Sequence, residues 1–292
     1  MVKNYFIEQD LCKKIEKKTT IKKFIYIMEL VSANNYNYKT WNEMFKNKID
    51  IKTLIKKDEW SEQVFSKISS KEFDDINKKL NESLAQSIKE KFLFFPYPEL
   101  LFSAFDFCSY DNVKVVIIGQ DPYFNSKVIN NKIVPEAMGL SFSVPVGIPI
   151  PSSLKNIFNN AVKYGHMKNY PKHGNLQYWS EQGCLMLNAS LSLIEGKKNS
   201  HANIWNNFTD KIIQTLNEKN DGLVFVLWGS FAMNKSMLID TNKHAVIISS
   251  HPSGLSNTKP LGKYPAFSNY DQFGQINKML TKFGKKEIEW DI

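Results

Sequence analysis

Arginine is absent: all 38 basic residues are lysine. The bidentate arginine–guanine contact, the commonest way of reading duplex sequence, is therefore closed to this chain, and a nucleic-acid role would have to rest on backbone, shape or a single extruded base. Cysteine is scarce. Cys12, Cys108 and Cys184 are odd in number and widely spaced, so the sequence offers neither a disulfide framework nor a zinc-ligand spacing. A reducing intracellular compartment, cytoplasm or nucleus, is expected, with no metal and no cofactor. Long apolar runs are missing too. Leu223–Gly229 is typical of the longest, far short of the roughly 18 residues that suggest a membrane span. The N-terminus contains acids and no sustained apolar segment, which argues against a secretory signal. Neither G-x-G-x-x-G nor a Walker A loop occurs, which argues against an ordinary doubly wound nucleotide-binding enzyme. No internal repeat of fixed period is evident.

What is present is a chain of 292 residues, 42% hydrophobic and 23% charged, as expected of a soluble globular protein with one large domain and an appendage. Its net charge of +9 fits attraction to a polyanion such as DNA. An AT-rich coding sequence, which favours lysine and asparagine, gives the same charge without any selection on function. Residues 1–38 are lysine-rich and read as a small helical or partly ordered extension, either a basic arm or a solvated appendage, joined to a domain over 39–292 by the linker "SANNYNY". From Ser70, a plausible N-cap, Phe73, Ile76, Leu80, Leu84, Ile88 and Phe92 recur at spacings of three and four, the apolar stripe of a long helix that Pro96 and Pro98 would stop. "ELLFSAFDF" reads as a short buried helix.

A repeating pattern follows. Val113–Gly119, Gly183–Leu191, Leu223–Ser230 and Ala245–Pro252 are near-continuous apolar runs, the mark of strands buried on both faces. Helix-like segments lie between them: "SSLKNIFNNAVKYG", "NNFTDKIIQTLNEKN" and "SFAMNKSMLID". The alternation predicts an α/β fold with a central four-stranded parallel sheet flanked by helices. Ligands of such sheets bind beyond the carboxyl ends of the strands, and each strand end here carries polar residues: Gln120, Asp121 and Tyr123 after the first, Asn188 in the second, Gly229-Ser230 after the third, and His251, Ser253 and Leu255 after the fourth. One carboxylate, one histidine and one carboxamide would converge on a single crevice.

Those segments carry a resemblance. "GQDPYF", "GLSFSV", "PIPSSL", "LMLNASLSL", "WGS" and "HPSGLS", together with "NSHANIWNNFTDKII" and the closing "IEW", are similar to the motifs of family 1 uracil-DNA glycosylases, in the same order from about Trp41 to Trp290. The resemblance implies a monomeric enzyme, needing no metal or membrane, that flips uracil out of DNA and hydrolyses its bond to deoxyribose, starting base-excision repair. By the same resemblance, Asp121 would stabilise the sugar cation and orient the attacking water. His251, as a neutral imidazole, would donate to the uracil carbonyl. Gln120, Tyr123, Phe142 and Asn188 would bind uracil: Phe142 by stacking, Tyr123 by blocking the space of a thymine methyl. Asn188 would match the N–H at position 3 and the carbonyl at position 4, which cytosine reverses. Ser153, Ser230 and Ser253 would grip phosphates, and Leu255 would enter the vacated space as a wedge.

The departures are specific. Phe124 stands where the family usually has histidine, which puts a phosphate contact in doubt. Gly254 stands where it usually has proline, which is expected to loosen the wedge loop. The stretch from Asn125 to Met138 is longer than usual, either an extra DNA contact or a surface insertion. These departures, with the extension, motivate an alternative: a DNA-binding replication partner on the same fold with weak or no catalysis. The sequence identifies no partner protein for replication or repair.

Overall fold

The computed structural model describes residues 30–56, 58–219 and 221–292, so most of the lysine-rich extension lies outside the described residues. Its end, residues 30–38, is tied to the core rather than free as a linker. Ala33 donates to Val146 O at 2.8 Å and Val146 donates back to Val31 O at 2.9 Å. Tyr36 is buried, with its ring 4.8 Å from that of Tyr38 and 5.8 Å from that of Tyr97.

Helix α1 spans Ser70–Glu90. The cap is Ser69, one residue earlier than expected. Its hydroxyl accepts from Glu72 N while the Glu72 carboxylate accepts from Ser69 N. The reason is the position of Glu72, three residues after Ser69, which closes a reciprocal capping box. Phe73, Ile76, Leu80 and Leu84 are buried as the spacing predicts, but Ile88 is 47% exposed. Phe92 is not helical, because Lys91 adopts a left-handed conformation (φ 61°) and ends the helix well before the prolines. Strand β1, Phe94–Phe95, follows. "ELLFSAFDF" forms a 3-10 turn over Pro98–Leu100 and a short helix over Ser103–Asp106.

The first long apolar run forms β2, Val115–Gly119. The stretch beyond Phe124 is an ordered hairpin, β3 (Ser126–Ile129) with β4 (Lys132–Pro135). Tyr97 Oη, donating to Ile133 O, and Lys132 Nζ, donating to Tyr36 O, fasten it to the body. Then come α2 (Ser152–Lys163), β5 (Cys184–Asn188), β6 (Leu193–Ile194, antiparallel to β1), α3 (Ala202–Asn217) and β7 (Val224–Trp228). "SFAMNKSMLID" is split, with a turn of α-helix over Ser230–Met233 and a 3-10 segment over Asn234–Leu238. Strand β8 (Ala245–Ser249) and helix α4 (Gln272–Lys282) complete the fold.

The sheet runs β5-β2-β7-β8, and every pairing is parallel. Every residue of β2, β5 and β7 is buried, whereas edge strand β8 is only partly covered. That burial explains why these strands read as unbroken apolar runs. Trp60 and Trp179 are fully buried and donate to Cys108 O at 2.7 Å and Trp290 O at 3.0 Å, so their indole N–H groups are satisfied inside the core.

His201, at the start of α3, is fully buried between two hydroxyls: Ser83 Oγ is 2.9 Å from Nε2 and Ser192 Oγ is 2.9 Å from Nδ1. Ser192 Oγ also accepts from the Trp205 indole, so imidazole, hydroxyl and indole form one buried hydrogen-bonded chain. Burial pulls the imidazole down from 6.5 to about 4. The unfolded chain therefore takes up this proton at higher pH than the folded one. Stability is complete above the unfolded value and falls as pH drops from about 6.5 to about 4, by up to roughly 3 kcal/mol. Urea unfolding at stepped pH should show this loss, and His201→Gln should lack that component of the slope.

Candidate active site

Register brings the first two groups together. Gly119 ends β2 directly beside Asn188, the last residue of β5. A Cβ on Gly119 would stand 2.2 Å from Asn188 Oδ1 and 2.9 Å from Ser141 Cβ, so only glycine leaves the carboxamide this position. Asn188 is 5% exposed, and among the described residues its carboxamide has no hydrogen-bond partner. Ala189 N–H donates to Gly119 O and Ser190 N–H to Gln120 O, continuing the pairing past the strands and fixing the first residues of the loop.

Asp121 follows. Its Oδ2 accepts from Asn199 N at 3.1 Å, while Oδ1 is buried with no partner. Burial raises the carboxyl above the usual aspartate range, opposed by the Asn199 N–H and by the charge of Lys198. Gln120 Nε2 donates to Asn199 Oδ1 at 2.6 Å. Tyr123 turns inward, and its phenol donates to Phe142 O at 3.2 Å. Burial pushes that phenol upward, so it remains a neutral donor.

Phe142 has a left-handed backbone (φ 62°), an uncommon conformation for a bulky residue and a frequent mark of functional positions. It is held there because Ser141 N–H donates to Met186 O in the sheet and Ser141 Oγ to Ile117 O. The Phe142 ring lies 5.4 Å from Trp228 and 5.9 Å from His251, centroid to centroid. His251 follows β8, against Gly229, where a Cβ would approach the His251 Cβ to 2.9 Å. His251 Nδ1 accepts from Ser253 N at 3.0 Å, so that nitrogen carries no proton and the neutral ring presents Nε2–H. Burial lowers its pKa, in the same direction.

The remaining expected positions form a rim. Ser230 is exposed just beyond Gly229. Asn156 Nδ2, on α2, donates to Pro252 O at 2.7 Å. It thereby draws the helix bearing Ser153, one turn earlier on the same face, toward the Ser253 turn. Leu255 is 86% exposed at the tip of that turn. Although Gly254 replaces a proline, the turn is braced: Ser256 N–H and Asn257 N–H donate to Ser253 O, Ser250 Oγ to Ser256 O, and Ser268 N–H to Asn257 O. Phe124 carries Lys198 Nζ above its ring at 4.9 Å. Among the described residues no group of three or more His, Cys, Asp or Glu side chains is arranged to hold a metal ion, and no helix is long and apolar enough to cross a membrane.

The sequence model of the Uracil DNA glycosylase superfamily matches residues 105–281, the span that contains every residue of the candidate site. The chain belongs to that superfamily. It is 39% identical to a probable uracil-DNA glycosylase of Acanthamoeba polyphaga mimivirus over 275 residues, covering 90% of this chain and 72% of the relative. It is likewise 39% identical to a uracil-DNA glycosylase of Campylobacter fetus over 245 residues, covering 84% and 97%. The crystal structure of mimivirus uracil-DNA glycosylase superposes with a TM-score of 0.83 at 38% identity, over 91% of this chain and 99% of that one.

Within this glycosylase fold, sequence reasoning missed Asn199, Lys198 and Asn156. The first opens the segment "NSHANIW", which was recognisable as a motif. Nothing in its spacing, however, showed that a main-chain N–H would meet Asp121. The site makes one prediction of its own. In a nitrogen-15 NMR titration, His251 should titrate below the ordinary histidine range and show an unprotonated Nδ1 at neutral pH. A doubly protonated ring at pH 7 would contradict the tautomer set by Ser253.

Proposed function

We propose that this chain hydrolyses the N-glycosidic bond between uracil and deoxyribose in DNA, releasing free uracil and leaving an abasic site for base-excision repair, and that it acts as a monomer without a metal. The observation that carries the reading is the pair of unbonded groups at adjacent strand ends: the buried Oδ1 of Asp121 and the nearly buried carboxamide of Asn188. A buried polar atom without a protein partner, as Asp121 Oδ1 is, is costly, and one ligand, a flipped nucleoside with its sugar toward the carboxylate and its base toward the amide, would complete both groups.

Breaking the bond leaves positive charge on the sugar and negative charge on the departing base. Asp121 supplies the anion for the first and an acceptor that orients water. An electrophile close to a full cation needs no stronger nucleophile. His251, with its proton on Nε2, donates to the base carbonyl as charge collects there. Such preorganised groups act strongly because the site is shielded from water. Phe142 stacks on the base, fixed by the Tyr123 phenol at its carbonyl and by Trp228 at its edge. Tyr123 fills the space that a thymine methyl would need. Asn188 offers one acceptor and one donor in the order uracil presents, and a mismatched base would leave buried groups unpaired, a penalty of roughly 10⁴ or more in selectivity. Gln120 completes the base contacts.

Extruding the nucleotide costs a few kcal/mol, which Leu255 offsets by occupying the gap, while Ser153, Ser230 and Ser253 hold the phosphates through hydroxyl and main-chain donors. The buried, unpaired Cys108 and Cys184 are compatible with work in a reducing compartment, cytoplasm or nucleus.

The test is release of free uracil from a uracil-containing oligonucleotide in EDTA. Asp121→Asn and His251→Ala should each lose about a hundredfold or more, and full activity in both would contradict their roles. Activity should fall on acidification through a pKa above the usual aspartate range, because Asp121 must be ionised and burial raises it. Gly119→Ala should keep the fold by circular dichroism yet lose about tenfold or more in kcat/KM, since its Cβ displaces the Asn188 carboxamide. Wild-type-like kinetics in Gly119→Ala would remove the argument from register.

A further inference from the structure

Asn199 reaches two residues of the site at once. Its main-chain N–H donates to Asp121 Oδ2 at 3.1 Å, and its side-chain Oδ1 accepts from Gln120 Nε2 at 2.6 Å. Both bonds come from one turn, because Asn199 is left-handed (φ 59°). Asparagine tolerates this region and β-branched residues do not. The turn itself is fastened to the same loop further along: Gly196 N–H donates to Phe124 O at 2.9 Å, Ser126 Oγ to Glu195 Oε1 at 2.9 Å, and Lys198 lies over the Phe124 ring. Lys197, at its outer end, bonds Glu90 of α1 at 2.7 Å. The turn is thus a bracket between α1 and the loop after β2.

We infer that Asn199 is a positioning residue for the reaction: its left-handed backbone holds one oxygen of Asp121 so that the other stays free for the sugar and water, and its side chain fixes Gln120 beside it. This rests on the glycosylase reading for what the two residues then do, but the positioning itself is a matter of geometry. The asymmetry of the carboxylate follows from it. Among the described residues Oδ2 has one donor and Oδ1 none, so turning the carboxylate away from its present plane about the Cβ–Cγ bond would cost that hydrogen bond. The charged side chain acting on Asp121 is Lys198, on the same bracket, while its neighbours Gln120 and Asn188 are neutral.

Two substitutions separate the two halves of the role. Asn199→Gly keeps the left-handed backbone and the N–H but removes Oδ1. Asn199→Val drives the backbone out of that region and takes the N–H from Asp121. The Asp121 carboxyl is titrated by carbon-13 NMR in each protein, and uracil release is measured in each with and without Gln120→Ala. In Asn199→Val the carboxyl midpoint should rise by about one pH unit, the worth of a hydrogen bond to a charged group; in Asn199→Gly it should not move. In Asn199→Gly uracil release should fall about tenfold, and adding Gln120→Ala should lower it no further, because Asn199 acts through that amide. An unmoved midpoint in Asn199→Val, or losses that multiply in the double variant, would overturn the inference. If Asn199→Val does not fold, the Asn199→Gly and Gln120→Ala cycle decides. Wild-type protein that releases no uracil, with midpoints moving as expected, would sink the glycosylase reading and leave the positioning of Asp121 standing.

Discussion

On the proposed reading, everything in the site depends on keeping one carboxylate ionised in a place that penalises its charge. Asp121 is drawn out of water by the fold and receives a single main-chain hydrogen bond in return. A carboxylate with two or three donors would be more stable and less useful, since its charge would already be spent on the protein. One with none would hold its proton to higher pH. The arrangement found here lies between these limits: one donor, one cation at a distance on Lys198, and one oxygen left over. The unsatisfied atom is a local cost carried by the surrounding core, the usual signature of a site prepared for a charge that arrives only with the ligand.

The parallel sheet is what makes that cost bearable. Strands β5, β2 and β7 are buried along their whole length, so their ends are placed by packing on both faces. The main-chain pairing continues beyond them through Ala189 and Ser190. Gly119 is the point where this frame becomes chemistry, because the lack of a side chain there is what lets Asn188 stand beside the loop that carries Asp121. On the opposite side, Gly229 does the same for His251, at a φ of 91°. Two residues without side chains thus admit the amide and the imidazole.

Much of this was legible in the sequence, and the parts that were not share a cause. The four apolar runs, their parallel order and the polar strand ends follow from periodicity and from the rule that ligands sit beyond the carboxyl edges. The cap of α1 was misplaced by one residue because Ser69 and Ser70 look alike until the partner Glu72 is counted from each. Ile88 and Phe92 extend the apolar stripe in sequence but fall where the helix has outrun the core and then ended. The tyrosines of residues 32–38 looked like a linker because they sit among asparagines, yet Tyr36 packs on Tyr97 and Tyr38 on Tyr36. Asn199 was invisible for a different reason. Its part is played largely by a main-chain N–H, which every residue but proline possesses, and only the left-handed conformation gives it direction.

The absence of arginine bears on how such a protein divides affinity from specificity. Lysine is a compact, well-hydrated point charge without the planar fork that reads guanine or clamps a phosphate in two places. A chain with 38 lysines and a net charge of +9 can draw in a polyanion and release its counterions, with a strong dependence on salt. Discrimination then has to reside elsewhere, in a space small enough that one misplaced donor is expensive. The Asn188 carboxamide, 5% exposed and without a described protein partner, is such a place. On the proposed reading, attraction from the lysines and selection by the amide are physically separate, so weakening the first with salt should leave the second intact. That separation, on the same reading, lets a protein without the arginine–guanine contact pick out one base in DNA.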